Sequence, residues 1–110
     1  MIDDTIRKIE ARLQSSESIP PERRQELVDL LQTLKGEISE LSKTHGEQAE
    51  SIAGFTELST REATRSRRDP RLLELSLRGL SSSVEGFEES HPRLVQIVNT
   101  ISHTLSSLGI

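Results

Sequence analysis

Glu88 and His91 are the residues whose types and spacing come nearest to a metal site. On a helix, a glutamate and a histidine three positions apart lie on one face, and such a pair supplies part of a di-iron carboxylate site in helical bundles. That site needs a second pair of the same kind, and neither His45 nor His103 follows a glutamate by three residues. We therefore expect no metal and no cofactor, and we expect His91 to form hydrogen bonds beside Pro92.

The residues also give little support for catalysis. The 110-residue chain contains no cysteine and no glycine-rich phosphate loop, and its serines fall on predicted helices rather than at a strand–turn–helix elbow. Its carboxylates are numerous but spread over predicted solvent faces, where charges usually only solvate a helix. The sequence therefore predicts a protein that is not an enzyme and has no catalytic residues.

The one basic cluster of the sequence lies in its middle. It consists of five arginines that flank two acidic residues: Arg61, Arg65, Arg67, Arg68 and Arg71, with Glu62 and Asp69. One interpretation is a contact for an acidic partner such as RNA, an anionic lipid or an acidic protein. The other, which we favour, is a solvated loop whose charges suit a helix carboxyl end. A net charge of −4 and only two aromatic residues, both Phe, argue against nucleic-acid binding.

Apolar residues recur in alternating steps of four and three. An average step of 3.5 residues places them along one side of a helix that packs on another helix. Eleven positions of the C-terminal part follow this spacing: Leu73, Leu77, Leu80, Val84, Phe87, His91, Leu94, Val98, Ile101, Leu105 and Leu108. Two earlier runs repeat it: Ile2, Ile6, Ile9 and Leu13, and then Leu27, Leu31, Leu34, Ile38 and Leu41. We call all these residues the seam.

The seam predicts three helices, of which the first covers residues 3–16. The second begins at Pro21, because proline at the first helical position loses no useful hydrogen bond. It runs over residues 21–43, and we expect it to extend to about residue 66. Two glycines and the loss of apolar seam positions leave a mobile linker as the alternative for that extension.

The third predicted helix covers residues 70–107. Asp69 is a suitable cap for its first turn. Pro92 interrupts the helix because it lacks an N–H group and its ring clashes with the preceding turn. Since the seam keeps its phase on both sides, we expect a kink there. A clean break, capped by Ser90 or His91, is the alternative.

Together these helices predict a single all-α domain of residues 1–110. Short turns make successive helices antiparallel, so the second and third form a hairpin that resembles a coiled coil. The short first helix makes a three-helix bundle at one end of the hairpin. A helix over residues 21–66 would be about 69 Å long at the standard rise. The arginine cluster would then lie at the exposed tip.

The C-terminal helix is uncharged after Arg93. Because a helix with one face in water usually carries lysine and glutamate there, we expect burial on several sides. Three causes are open: packing within the chain, a homo-oligomer, or a foreign partner or membrane. For a homo-oligomer, most simply a dimer, the expected interface is Val95, Ile97, Ile101, Leu105 and Leu108. We expect Gly109 and Ile110 to end this helix in a Schellman motif.

The beginning of the sequence and its hydropathy bear on location. Acidic residues occur where a secretory signal has basic ones, and no apolar run is long enough to span a membrane. We therefore expect a cytoplasmic protein without a membrane span.

Two segments have the character of motifs, FEESHPRL at residues 87–94 and LGI at residues 108–110. In both, the chain resembles domain-of-unknown-function family 4404, a group of small bacterial proteins. The resemblance covers residues 2–43 and 70–110, so that residues 44–69 look like an insertion. It implies a helical bacterial protein and no particular activity.

The sequence as a whole favours a non-catalytic coiled-coil module for interaction or assembly that associates with itself. The competing prediction is an electrostatic module that binds an acidic partner through the cluster from Arg61 to Arg71.

Overall fold

The computed structural model describes residues 2–108 and confirms an all-α fold. Five helices follow one another: α1 (Ile2–Ser15), α2 (Pro21–Ser42), α3 (Gly46–Ala63), α4 (Pro70–Ser83) and α5 (Pro92–Leu108). They form a bundle of 37 × 24 × 22 Å, and this part of the chain contains no strand. The expected Schellman motif at Gly109 and Ile110 lies outside the described residues.

Local sequence sets where several helices begin. Pro21 and Pro70 open α2 and α4, as the sequence predicts. Asp69 caps α4, because its carboxylate accepts hydrogen bonds from the backbone N–H groups of Arg71 and Leu72 at 3.0 and 3.3 Å. These starts depend on neighbours in sequence and were therefore predictable.

The second predicted helix is interrupted, so its extension to residue 66 is wrong. α2 ends at Ser42, and the N–H group of His45 donates to the carbonyl oxygen of Leu41 at 2.8 Å. His45 itself leaves the helical conformation, with φ −135° and ψ 63°. Residues 46–63 are helical, as expected, but they pack against α2 instead of prolonging it.

Because α3 folds back against α2, the predicted projecting hairpin does not form. The longest dimension of the bundle is 37 Å, whereas one helix through this region would need about 69 Å. Folded back, α3 contacts each of the other four helices. It therefore buries a face that an extended rod would leave in water.

The last predicted helix is broken rather than kinked. α4 ends at Ser83, and residues 84–91 form a turn before Pro92 begins α5. Gly86 in this turn has φ +94°, a left-handed conformation that residues with a Cβ rarely adopt. Its N–H group donates to the carboxylate of Glu88 at 2.9 Å. The expected kink is therefore wrong, and the alternative of a break at the proline is what the chain adopts.

α3 lies at the centre of the bundle, although it has the lowest share of large apolar residues among the five helices. Most residues on its inward side are small, and all of the following are buried: Ala49, Ile52, Ala53, Thr56, Ser59, Thr60 and Ala63. Small side chains let the other helices approach closely. The hydroxyl groups of Thr56 and Thr60 donate to the carbonyl oxygens four residues earlier, both at 2.8 Å, so their burial leaves neither hydroxyl unsatisfied.

The seam forms the inward side of the other helices, as its spacing predicts. The following members are buried: Ile6, Ile9, Leu13, Leu27, Leu31, Leu34, Ile38, Leu41, Leu73, Leu80, Val84, Leu94, Val98, Ile101 and Leu105. The remaining members are half-buried: Ile2, Leu77, Phe87, His91 and Leu108. The periodicity thus identified the inward faces even where it joined separate helices into one.

Enlarging the inward side of α3 will destabilise the bundle. Ala53 is 1 % exposed, so Ala53→Leu must displace a neighbouring helix, which lowers the free energy of unfolding by about 1–3 kcal/mol. The matched control is Gly54→Ala on the outward side, where an added Cβ meets no atom within 4 Å. This change should raise stability by up to about 1 kcal/mol. Urea denaturation followed by circular dichroism measures both variants, and equal stability would contradict the central position of α3.

Candidate interaction surface

The uncharged C-terminal helix packs against the rest of the chain along one side. α5 packs against α2, α3 and α4. Of the residues expected at an intermolecular interface, Ile101 and Leu105 are 3 % and 0 % exposed. Val95, Ile97 and Leu108 are half-buried and pack against the same core. The outward side of α5 is nevertheless exposed, and it carries no lysine, arginine or carboxylate: Gln96, Asn99, Thr100, His103, Ser106 and Ser107. The expected burial on several sides is therefore wrong, and packing within the chain does not account for the missing charges of this side.

Exposed large apolar side chains gather instead on α3 and α4. Within residues 2–108 these are Phe55, Leu58, Leu72 and Leu75, which are 36 %, 37 %, 43 % and 51 % exposed. We call these four residues the exposed strip. The members on each helix are three positions apart, so each pair shares one helix face. The sequence analysis missed the strip, because Leu58, Leu72 and Leu75 fall outside the seam spacing. Phe55 continues that spacing beyond Leu41, which predicts an inward position rather than an exposed one.

Phe55 and Gly79 join the two halves of the exposed strip. The Phe55 ring lies over Gly79, where an added Cβ would be 2.6 Å from Cδ1 of the ring. Gly79 is one helical turn beyond Leu75, and Leu58 is almost one turn beyond Phe55. Because α3 and α4 are neighbours that run in opposite directions, Leu58 lies level with Leu75. The strip is therefore one apolar patch across two helices.

Two members of the arginine cluster have structural partners. Arg65 forms an ion pair with Glu62 at 3.0 Å, and the side chain of this glutamate is only 7 % exposed. Arg65 therefore neutralises a buried carboxylate. Arg68 donates to the carbonyl oxygen of Leu108 at the end of α5, where the helix dipole favours a cation.

The other three arginines have no side-chain hydrogen bond or ion pair within residues 2–108. Arg61 lies in a groove between α1 and α3, beside Lys8 and Arg12. Arg67 and Arg71 lie on either side of the start of α4. The cluster that is continuous in sequence is thus divided between two sides of the bundle.

Arg12 joins the two sides of the groove between α1 and α3. Its Nε donates to Thr64 Oγ1 at 2.7 Å, and its Nη2 donates to the carbonyl oxygen of Arg61 at 3.5 Å. An open pocket of about 510 Å³ adjoins this guanidinium and is lined largely by hydroxyl groups. These bonds tie α1 to the end of α3, so we assign Arg12 a structural role.

Three aromatic rings are in contact at the turn between α4 and α5: two belong to the turn itself, and the third is that of His45. The ring centroids of His45 and Phe87 are 5.4 Å apart, and those of Phe87 and His91 are 5.7 Å apart. Glu88 lies in the turn and bonds to Gly86, so the glutamate–histidine pair is not on a helix. In the described part of the chain, no group of three His, Cys, Asp or Glu side chains is placed to hold a metal ion.

Comparison with known proteins identifies a family. A family model described as "Domain of unknown function (DUF4404)" matches residues 30–110, a range that contains both the segment at 87–94 and the ending at 108–110. No curated protein and no solved structure matches the chain. Between residues 2 and 108, no helix is both long and apolar enough to cross a membrane.

Removing Arg65 will destabilise the fold, because Glu62 would remain buried without its cation. We expect Arg65→Met to lower the free energy of unfolding by about 1–3 kcal/mol. The matched control, Arg71→Met, removes an arginine without a side-chain partner in the described chain and should change stability by less than about 0.5 kcal/mol. Urea denaturation compares them. Adding Glu62→Gln to Arg65→Met should restore part of the loss, and a further loss would show that the ion pair is not its cause.

Proposed function

Since the chain belongs to the DUF4404 family, a domain of unknown function, we propose a role from its own surface: it is a non-catalytic helical interaction module that self-associates through the exposed strip. As part of this proposal, the protein is bacterial and works in the cytoplasm. The strip takes the place of the interface expected on α5, where Ile101 and Leu105 are already covered by the chain itself.

The observation that carries this proposal is the position of the exposed apolar side chains. Single exposed apolar residues are ordinary on any protein, but a contiguous apolar patch marks a contact surface. All four large ones in the described chain share one face of α3 and α4. Covering such a surface contributes roughly 25 cal/mol for each Å² of apolar area removed from water. This term favours association through the strip and opposes the entropy that two copies lose on binding.

An interface of ordinary size needs a polar rim around this apolar centre. Standard interfaces bury about 800 Å² on each partner, with apolar residues in the middle and polar residues around them. The exposed strip supplies the middle. Exposed polar residues on the same two helices are available for the rim: Gln48, Ser51, Glu74, Arg78 and Ser82.

The surroundings of several carboxylates support a non-catalytic role. Glu26, Glu40 and Glu74 each form an ion pair with a basic side chain three or four residues away in sequence. Such exposed pairs are typical of solvated helix surfaces and contribute little to stability. All of these side chains are exposed, so we assign them to solvation rather than to proton transfer.

The exposed strip predicts an association that a single charge will weaken. Wild type should elute as a dimer at tens of micromolar in size exclusion with light scattering. Leu75→Glu should raise the dissociation constant by at least about tenfold, which corresponds to 1.4 kcal/mol of lost binding free energy, because a carboxylate would be buried at the centre of the contact.

The control for this experiment is Ala11→Glu. Ala11 is exposed on α1, a helix that has no contact with α4, so this variant adds the same charge away from the strip. It should remain a dimer. A wild-type protein that is monomeric throughout this concentration range would refute the proposal.

A second candidate is an electrostatic module that binds an acidic partner such as RNA, an anionic lipid or an acidic protein. The observation in its favour is that Arg61, Arg67 and Arg71 have no side-chain partner within residues 2–108. Arg67 and Arg71 lie together at the start of α4. Unpaired cations at such a site attract anions over about one Debye length.

This candidate predicts salt-sensitive retention on heparin. The double variant Arg67→Gln/Arg71→Gln should elute at a lower salt concentration than wild type, because two free cations are lost. Arg7→Gln/Arg23→Gln makes the same change in net charge on α1 and α2 and should elute later than the first variant. Passage of wild type through heparin without retention at physiological salt would exclude the second candidate.

A further inference from the structure

We infer, as an extension of the proposed self-association, that two copies dock antiparallel through the exposed strip. The two-fold axis lies in the interface, perpendicular to α3 and α4. As a result, α3 lies against α3 of the second copy, and α4 lies against its α4. Leu58 then contacts Leu58 of the second copy, and Leu75 contacts its Leu75. A closed two-fold contact uses the same patch on both copies, which this face provides.

The contact between Phe55 and Gly79 fixes which residues lie level on α3 and α4. Moving from this contact toward the end of α3 means moving toward the start of α4, because the two helices are antiparallel. Leu58 and Leu75 lie about one helical turn from this contact in that direction, in the middle of the strip. Leu72 lies almost one further turn away, at the end of the strip that is nearest the last residues of α3.

The two ends of the exposed strip differ in charge. Beyond Leu72 lie the arginines at the end of α3 and the start of α4, among them Arg65 and Arg71. Beyond Phe55 the exposed positions one turn away are Ser51 on α3 and, on α4, Ser82. One turn beyond Ser51, the exposed Glu47 lies in the first turn of α3. The strip therefore has one basic end and one end without bases.

This polarity discriminates between the two ways of making a two-fold contact. An axis parallel to the helices would place α3 of each copy against α4 of the other at the same level. Arg71 would then face Arg65 of the second copy, twice in each dimer. Arg65 is 45 % exposed while its partner Glu62 is buried, and like charges across an interface oppose association. An axis that crosses the helices brings the basic end against the end with Ser51 and Ser82. The charges therefore favour the antiparallel dimer.

The same polarity favours a second copy over an anionic membrane or an acidic helix. Faces that bind anionic surfaces carry bases along their length, whereas the free bases here lie at one end of the strip. Arg78, midway along α4, is already paired with Glu74 at 2.5 Å. The serines at the other end have hydroxyl oxygens that can accept hydrogen bonds from the arginines of a second copy.

Disulfide formation tests this geometry directly, because the chain contains no cysteine. Leu58→Cys and Leu75→Cys each place one thiol near the proposed axis and keep an apolar side chain there. In the antiparallel dimer each variant meets its own thiol in the second copy. Both should form covalent dimers at least about tenfold faster than Ala11→Cys on α1, because docking raises the effective thiol concentration.

The outcomes separate the geometry from the self-association. If light scattering shows a dimer but disulfides form only between Leu58→Cys and Leu75→Cys in a mixture, the axis is parallel and the antiparallel geometry is wrong. If wild type is monomeric, the proposed self-association fails. A fluorophore on the thiol of Leu75→Cys that responds to phosphatidylglycerol vesicles, or to an acidic amphipathic peptide, while the protein stays monomeric would reassign the strip to that partner.

Discussion

The packing of four helices around the small-residue side of α3 is the constraint on which the rest of the structure depends. Ala49 and Ala53 are almost fully buried, and their small size lets neighbouring helices approach the α3 backbone. The hydroxyl groups of Thr56 and Thr60 bond within α3 itself, so the helix can be surrounded without leaving them unsatisfied. A helix with few large apolar residues thereby becomes the centre of the core.

The exposed strip follows from the same arrangement. α3 uses its small residues inward, so its larger ones, Phe55 and Leu58, remain at the surface beside α4. There Gly79 leaves room for the Phe55 ring, and Leu72 and Leu75 continue the apolar area. The strip thus results from placing a helix with two unequal faces at the centre of the bundle. The larger residues that a core would normally use are left at the surface.

Charge is distributed by the fold as well. In the sequence, the five arginines form one cluster, but the structure uses Arg65 to neutralise Glu62 and Arg68 to close the end of α5. Arg61 is directed to the groove beside α1. The arginines that remain near the strip lie at one of its ends and not along its length. This difference supports the proposed contact between copies over a general attraction to anions.

The sequence by itself determined the helical class, the starts of α2 and α4, and the inward sides of four helices, because spacing and capping act over a few residues. Only the tertiary structure decided that α2 stops before His45 and α4 stops before Gly86. It also decided that α3 lies at the centre. A helix that continues and a helix that folds back share the same periodicity. The choice between them depends on apolar area buried against helices far along the chain, which no local pattern records.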